Sequence, residues 1–325
     1  MNNIKSNLTI FMLLSCFLFS DEIAVKEIPL KGLITDRQQE ISGMDWYGNN
    51  LFLLPENLGG FLFVISKDDI YQSINSNNPN PITPNQISFI TPDYSKTIPG
   101  FEGFESIAFF GDQFVVTLEA KSDGKMHGYI AWGKINPKTL KAIINDEDLL
   151  ELPVPTQVKN MTYESALIHE NSVILFYEAN GKNLRKSAWQ HIVSLNDNHS
   201  ARIDFPNIEY RITDVTKIDH QNKFWAINYL WPGDIDRLNP AEDLISAKYG
   251  KGETHQSSKA VERLVEFQIQ NGAIHLTNQK PLQIQLLEDN SRNWEGLVRL
   301  DKKGFLIVTD KFPGSLLRFI SYKSK

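Results

Sequence analysis

Short apolar runs separated by polar turns follow one another along most of the chain. The clearest runs are rich in Phe, Val, Ile and Tyr and are bounded by Gly, Asn, Asp or Pro, which is typical of β-strands. They lie at residues 61–65, 114–118, 173–177, 224–227 and 305–308. Helical periodicity is scarce, and only residues 242–249 and 258–264 suggest short turns of helix. The pattern predicts an all-β protein.

A pair of strands led by an acidic residue recurs along the chain. The copies begin at Glu40 (EISGMDWYGNNLFLLPEN), Glu105 (ESIAFFGDQFVVTLEA), Glu164 (ESALIHENSVILFYEANG), Asp214 (DVTKIDHQNKFWAINYLW) and Glu295 (EGLVRLDKKGFLIVTDKF). Each interval leaves room for a third and a fourth strand, such as residues 128–135 and 140–144. Repeated four-stranded units describe a β-propeller, and roughly 40–50 residues per blade allows five or six blades.

The two ends of the chain fit the same architecture. Residues 24–30 and 316–322 are isolated strand-like segments, and their pairing within one blade would close the ring without an exposed sheet edge. We interpret the Asn- and Pro-rich residues 73–84 as a loop. The long interval before Glu295 either hides a degenerate blade or holds an excursion around residues 231–258, which we interpret mainly as a loop on one face.

Composition and charge narrow the class of partner. Apolar residues make up 41% of 325 residues, as in ordinary globular proteins, and the net charge of −6 provides no basic field for nucleic acid. We therefore expect a monomer that binds a small molecule, either an ester or an anionic ligand, and no nucleic acid. No stretch reaches the length of a transmembrane helix.

The first residues resemble a secretory signal. Lys5 precedes an apolar run at residues 8–19, which stops at Ser20. We expect residues 1–20 to be a signal peptide and residues 21–325 to form a single propeller domain. The only cysteine, Cys16, leaves two alternatives. Cleavage near Ser20 would release a periplasmic or secreted protein, whereas lipidation of Cys16 would anchor a lipoprotein to a membrane.

The acidic leads carry the main candidate chemistry. In a propeller the first strand of each blade lines the central channel, so Glu40, Glu105, Glu164, Asp214 and Glu295 would converge there. Crowded carboxylates repel one another unless a cation or protons neutralise them. Oxygen ligands without Cys or His favour a hard cation, and Ca²⁺ tolerates irregular coordination, so we expect calcium. The alternative is that these acids cap strand ends in solvated turns.

Further polar and aromatic residues lie beside the repeats. A second acidic set follows the second strands, and we expect it to face solvent rather than to complete a site. It consists of Glu56, Glu119, Glu178 and Asp310, with Asn228 in the fourth copy. Trp231, Trp294 and Tyr163 either wall a pocket or simply pack in the core. Arg292 and Lys311 flank the fifth copy and would hold an anionic group such as phosphate if they bind substrate.

The same segments resemble the phytase-like (esterase-like) β-propeller family and the related SdiA-regulated propellers, which are exported bacterial proteins. Three blade openings carry the likeness: residues 40–44 (EISGM), 104–108 (FESIA) and 293–297 (NWEGL). The resemblance implies that Glu40, Glu105 and Glu295 face the channel as metal ligands, and it implies ester or phosphoester hydrolysis. Glu164 and Asp214 lack the glycine of the family pattern, and the few bases near the acids speak against phytate as substrate.

Two classes of function follow from these residues. The first is a metal-dependent ester or phosphoester hydrolase, in which calcium polarises the ester and lowers the pKa of a bound water while a carboxylate takes the proton. Glu105 and Glu295 are the catalytic candidates. The alternative is a non-catalytic binding or scaffold propeller of the bacterial cell envelope, including a lipoprotein whose outer loops bind a partner.

Overall fold

The computed structural model describes residues 20–56, 60–287 and 291–323, so the predicted signal segment and Cys16 lie outside the described residues, apart from Ser20. Within these ranges the strands form five four-stranded sheets, here called blades 1 to 5 in chain order. Two short strands, β1 (Glu22–Ile23) and β2 (Lys26–Ile28), come before blade 1.

Each blade is an antiparallel meander. Blade 1 contains β3 (Ile41–Tyr47), β4 (Asn50–Pro55), β5 (Phe61–Ser66) and β6 (Asn85–Ile90). Blade 2 contains β7 (Phe101–Phe110), β8 (Gln113–Ser122), β9 (Lys125–Ile135) and β10 (Ala142–Leu152). Blade 3 contains β11 (Tyr163–His169), β12 (Ser172–Tyr177), β13 (Trp189–Ser194) and β14 (Ser200–Asp204).

The last two blades are less regular. Blade 4 contains β15 (Arg211–Val215), β16 (Lys223–Leu230), β17 (Val261–Gln270) and β18 (Ala273–Leu276). A further strand, β19 (Leu282–Ile284), pairs with β17 and with β1. Blade 5 contains β20 (Trp294–Leu300), β21 (Gly304–Thr309) and β22 (Leu317–Ser321), and β2 completes it by pairing with β22. The predicted closure by the two ends of the chain is therefore confirmed.

The first strands of the blades form a closed ring. β3 contacts β7, β7 contacts β11, β11 contacts β15, β15 contacts β20, and β20 returns to β3. The outermost strands of neighbouring blades also meet in places, since β6 pairs in parallel with β10 and β14 with β18. This radial arrangement of antiparallel sheets is a β-propeller, as the repeat predicts.

Hydrophobic side chains fill the gap between each pair of neighbouring blades. Alternate residues of a strand point to opposite faces, so a central strand buried on both faces is continuously apolar. In β4, Phe52 and Leu54 pack toward blade 2, whereas Leu51 and Leu53 pack toward blade 5. Phe305 and Leu306 of β21 divide in the same way between blades 4 and 1. The short apolar runs in the sequence are therefore blade strands packed on both sides.

Short helices lie in the connections. They are α1 (Lys67–Asn75), α2 (Tyr94–Thr97), α3 (Ile235–Leu238), α4 (Leu244–Tyr249) and α5 (Glu253–Gln256), with 3₁₀ turns at Leu33–Thr35, Arg37–Gln39 and Pro232–Asp234. The helical turn predicted near residues 242–249 is confirmed by α4. The turn predicted at residues 258–264 is wrong, because β17 begins at Val261 and pairs with β16 along its length.

The predicted loop at residues 73–84 begins inside a helix. The end of α1 reaches Asn75, and Ser66 caps its start by accepting a hydrogen bond from the Asp69 N–H at 3.1 Å. Ile70 and Ile74 are buried at helical spacing, which is the signal that identifies this helix. The excursion after β16 holds the Pro232–Asp234 turn, α3, α4 and α5, so it is more helical than predicted.

Candidate functional site

A β-bulge near the start of the first strand is shared by four blades. Pairing with the second strand skips one residue between 41 and 43, between 104 and 106, between 163 and 165, and between 294 and 296. The skipped residues are Ser42, Glu105, Glu164 and Glu295. A bulged residue leaves the ladder and its side chain is re-aimed. All four residues line one cavity of about 570 Å³ at this end of the first strands, here called the central cavity.

Blade 4 breaks this pattern, because its bulge takes in two residues. Pairing in β15 passes from Ile212 to Val215 and skips both Thr213 and Asp214. Thr213 donates a hydrogen bond to the Trp294 carbonyl at 2.6 Å. The Asp214 carboxylate instead accepts the Leu297 N–H at 2.6 Å, so it ties blade 4 to blade 5. The structure therefore does not bring Asp214 to the central cavity.

Glu40 reaches the central cavity from a different position than the repeat indicates. It lies one residue before β3 in a left-handed backbone conformation with φ of 43°, and its carboxylate pairs with Lys311 at 2.6 Å. The bulge residue of blade 1 is Ser42, two positions later. Of the five predicted ligands, the structure gathers Glu40, Glu105, Glu164 and Glu295 around one cavity.

The second acidic set does not face solvent, so that expectation is wrong. Glu56, Glu119 and Asp310 line the central cavity, while Glu178 is fully buried beside it. The reason is the hairpin: in an antiparallel pair, the end of the second strand lies beside the start of the first. Asn228 is buried as well, and its side-chain oxygen accepts a hydrogen bond from Arg263 at 2.7 Å.

Arg211 lines the central cavity, and the sequence patterns do not predict it as a site residue. Its guanidinium binds the Glu178 carboxylate through Nε and lies 3.6 Å from Glu295 and 4.0 Å from Glu164. Burial lowers the pKa of Arg211, but these three carboxylates outweigh burial and hold the pKa well above its ordinary value. Arg211 opens β15 at the position that Glu40 holds before β3, two residues before the bulge, and a charged side chain at this position is the available signal.

Burial and mutual repulsion shift the carboxyl groups toward their protonated forms. Burial, followed by the adjacent Glu40 carboxyl, raises the pKa of Glu56 to about 8. Burial and the charge of Glu178 raise the pKa of Glu119 to about 8. Burial, followed by repulsion from the Glu56 carboxyl, raises the pKa of Glu105 well above its ordinary value. Near neutral pH the cavity therefore holds protons on several carboxyl groups.

Glu295 combines burial with a partner of opposite charge. Burial raises its pKa well above the ordinary value, and the Arg211 guanidinium opposes that rise. The side chain is only 6% exposed, and its Oε2 has no hydrogen-bond partner among the described residues. Such a buried carboxylate oxygen is free to accept a hydrogen bond from a ligand or a water.

The donors in the cavity are oxygen atoms, which suits calcium, but their placement does not form a ready calcium site. Within residues 20–56, 60–287 and 291–323, no group of three acidic or His side chains is placed to hold a metal ion. Two predicted ligands, Glu164 and Glu295, face Arg211, and Asp214 lies elsewhere. The five predicted ligands therefore do not fit a single calcium ion as they are arranged.

The other candidate residues divide between the cavity and the core. Trp231 lines the central cavity, whereas Trp294 and Tyr163 are fully buried and donate hydrogen bonds to Glu262 and to the Pro153 carbonyl. Lys311 also lines the cavity. Arg292 is buried away from it, where its guanidinium pairs with Glu262 at 2.6 Å.

Comparison with known proteins adds little beyond the fold. No protein-family model and no curated protein matches the chain. Solved structures with similar folds include a glutaminyl cyclase from Myxococcus xanthus, at 7% identity over 93% of this chain and 99% of that chain, with a TM-score of 0.45. An α-L-arabinanase from Cellvibrio cellulosa complexed with arabinohexaose is 11% identical over 87% of this chain and 91% of that chain, with a TM-score of 0.46.

A third similar structure is the catalytic domain of a GH62 α-L-arabinofuranosidase from Coprinopsis cinerea, at 11% identity over 95% of this chain and 99% of that chain, with a TM-score of 0.45. Matches this distant assign no activity to the chain. In the part of the chain that the structure describes, no helix is both long and apolar enough to cross a membrane. The fold and the site together define a β-propeller with a buried, acidic central cavity.

Proposed function

We propose that this β-propeller is a hydrolase that cleaves an ester bond in its central cavity. The two protein groups that carry out the cleavage are the carboxyl groups of Glu105 and Glu295. The observation that carries the proposal is their placement: both occupy the bulge position of a first strand, and both are buried in the wall of the same cavity. Buried carboxyl groups with raised pKa values are suited to acid–base catalysis near neutral pH.

The two carboxyl groups would have different roles. Glu105 lacks an ion pair to a basic residue within the described ranges, and its pKa is raised, so it would hold a proton and give it to the leaving alkoxide. Glu295 also has a raised pKa, but the Arg211 guanidinium 3.6 Å away opposes that rise, so Glu295 would lose its proton more readily than Glu105 and, once ionised, take a proton from the attacking water. The acyl–oxygen bond breaks as the new bond to water forms, and a proton passing from Glu295 to Glu105 through solvent restores the site.

Arg211 would act as a positioning residue. Its contacts with Glu178 and Glu295 span the joint between blades 3, 4 and 5, so it holds the base in place while stabilising its charge. The same pairing leaves little of its charge for a phosphate group. Lys311 is likewise paired with Glu40, so the cavity favours a carboxylic ester over a phosphoester.

An assay of generic esters tests the proposal. Wild-type protein should hydrolyse an aryl acetate at pH 7, and Glu105→Gln or Glu295→Gln should lower the rate about 100-fold or more. Glu147→Gln, in an exposed part of β10, is the matched control and should leave the rate unchanged. Full activity in both cavity variants would overturn the assignment of these residues.

The same assay addresses the remaining sequence-based hypotheses. An aryl phosphate in place of the acetate tests phosphoester hydrolysis, and a chelator tests the predicted dependence on calcium. Loss of activity on chelation, restored by Ca²⁺, would support calcium. Absence of turnover on either ester by a folded wild-type protein would favour the alternative, a binding or scaffold propeller of the cell envelope.

Export is proposed from the sequence pattern of residues 1–20 alone. Mass spectrometry of the purified protein's N-terminus distinguishes the two routes. A terminus near Ser20 would support a periplasmic or secreted protein, a lipidated Cys16 would support a membrane-anchored lipoprotein, and an intact Met1 would contradict both.

A further inference from the structure

Acidic side chains outnumber basic ones in the lining of the central cavity. Eight acidic and three basic side chains line it. The acids are Glu40, Glu56, Glu105, Glu119, Glu164, Asp234, Glu295 and Asp310, and the bases are Arg211, Arg237 and Lys311. Each base already faces a carboxylate: Arg211 binds Glu178, Arg237 binds Asp234 at 2.7 Å, and Lys311 binds Glu40 at 2.6 Å. No base of the lining is left for an anionic ligand, whereas the surplus of carboxyl groups can accept hydrogen bonds from a cationic one.

Asp234 supplies a second, independent observation. It ends the 3₁₀ turn after β16, lines the central cavity and is 1% exposed. Its Oδ1 lies 2.7 Å from Arg237, but within the described ranges its Oδ2 has no hydrogen-bond partner. Glu295 Oε2, in the same cavity wall, also lacks one there. Unpaired buried carboxylate oxygens are costly, and a ligand with N–H donors would satisfy them.

An aromatic surface adjoins Asp234. Trp231 lies three residues earlier, lines the cavity and remains 47% exposed. Its ring packs against Gly233, where a Cβ atom would approach the indole to 2.3 Å, so the glycine lets the ring lie flat on the turn. Phe312 lines the same cavity from blade 5 and is 56% exposed. Exposed aromatic faces next to carboxylates are the surroundings in which proteins hold organic cations.

We propose that the central cavity binds an organic cation, a primary ammonium group on an apolar body, with the ammonium at Asp234 and the apolar body against Trp231. For the proposed hydrolase, the substrate would be an ester that carries an ammonium group. This assignment of the substrate rests on the proposed function, whereas binding of the cation does not. Binding itself follows from the surplus of acidic side chains, the unpaired oxygens and the exposed indole.

Binding of benzylammonium, compared with benzyl alcohol, tests the charge directly because the two ligands have nearly the same shape. In isothermal titration of the full chain at pH 7 and low salt, the affinity for benzylammonium should be at least about tenfold higher than the affinity for benzyl alcohol. Asp234→Asn and Trp231→Leu should each remove most of that preference. Asp236→Asn is the matched control, because Asp236 is an exposed acid two residues from Asp234, and it should change nothing.

Three results would overturn the inference: equal binding of the alcohol, tighter binding of a neutral sugar such as cellobiose, or an ammonium preference unchanged in a folded Trp231→Leu or Asp234→Asn variant. If Asp234→Asn fails to fold, the ammonium preference of Trp231→Leu still tests the inference, because this indole is half exposed and the fold should tolerate its replacement. Because benzylammonium is not an ester, its binding is independent of catalysis. Binding without ester turnover would reject the proposed hydrolase alone, and turnover of neutral esters without ammonium binding would reject the inference alone.

Discussion

The guanidinium of Arg211, in the first strand of blade 4, lies 3.6 Å from the carboxylate of Glu295, in the first strand of blade 5. This pair places a protein cation beside two of the carboxylates that the sequence assigned to a calcium ion, since Glu164 lies 4.0 Å from the same guanidinium. Blade 4 therefore contributes a base to the central cavity where the repeat predicts an acid.

Arg211→Met should strongly destabilise the fold. Glu178 is fully buried and pairs with Arg211, so removing the guanidinium leaves a buried carboxyl group without its partner. Breaking a buried ion pair in this way costs about 3–5 kcal/mol. Urea unfolding followed by tryptophan fluorescence measures the free energy of unfolding, and the exposed Lys138→Gln should stay within about 0.5 kcal/mol of wild type. A similarly small change in Arg211→Met would show that the pair contributes little.

Stability should fall as the pH rises from about 5 to about 8. The pKa of Glu56 and of Glu119 is raised to about 8 in the folded protein, against an ordinary value of 4.5. Between those values the folded state holds protons that the unfolded state has released, so raising the pH favours unfolding. Each such proton contributes up to about 1.4 kcal/mol per pH unit.

Unfolding measured at several pH values checks this slope. Glu56→Gln should flatten it, because the amide does not titrate, whereas the exposed Glu147→Gln should leave it unchanged. A free energy of unfolding that rises steadily over the same range in wild-type protein would contradict the prediction.

Asp214→Ala should weaken the fold while leaving the central cavity intact. The Asp214 carboxylate accepts the Leu297 N–H from blade 5 at 2.6 Å and the Val215 N–H at 2.8 Å, so its loss leaves buried backbone donors unsatisfied. The expected cost is about 1–3 kcal/mol. Ester turnover at a temperature where the variant is folded should match wild type, whereas a 100-fold loss would support the predicted role of Asp214 as a ligand in the central site.

The strand pattern predicts the propeller because each central strand is buried on both faces. The runs around Phe52, Phe176 and Phe305 are continuously apolar for this reason, and the isolated end segments predict the closure between β2 and β22. Helix α1 was missed because the Asn- and Pro-rich sequence after it masked the buried pair Ile70 and Ile74.

The acidic repeat predicts part of the cavity and fails where register matters. Glu105, Glu164 and Glu295 occupy equivalent bulges, but in β15 the bulge takes in two residues, so Thr213 holds the equivalent place and Asp214 turns away. A shift of one residue reverses the direction of a side chain in a strand, and similar strings of letters do not reveal such a shift. The role of Arg211 depends on contacts between blades, which one sequence does not display.

Arg292, an anion-binding candidate in the sequence, should stabilise the fold instead of binding an anion. Its guanidinium pairs with Glu262, which is fully buried and also accepts a hydrogen bond from the Trp294 indole at 2.7 Å. Arg292→Gln should therefore lower the free energy of unfolding by about 3–5 kcal/mol, because it leaves a buried carboxylate without its cation. Inorganic phosphate should change the Tm of wild-type and variant protein by the same amount, because the Arg292 side chain lies in the core. A phosphate-dependent stabilisation seen in wild type and lost in Arg292→Gln would instead make Arg292 an anion ligand.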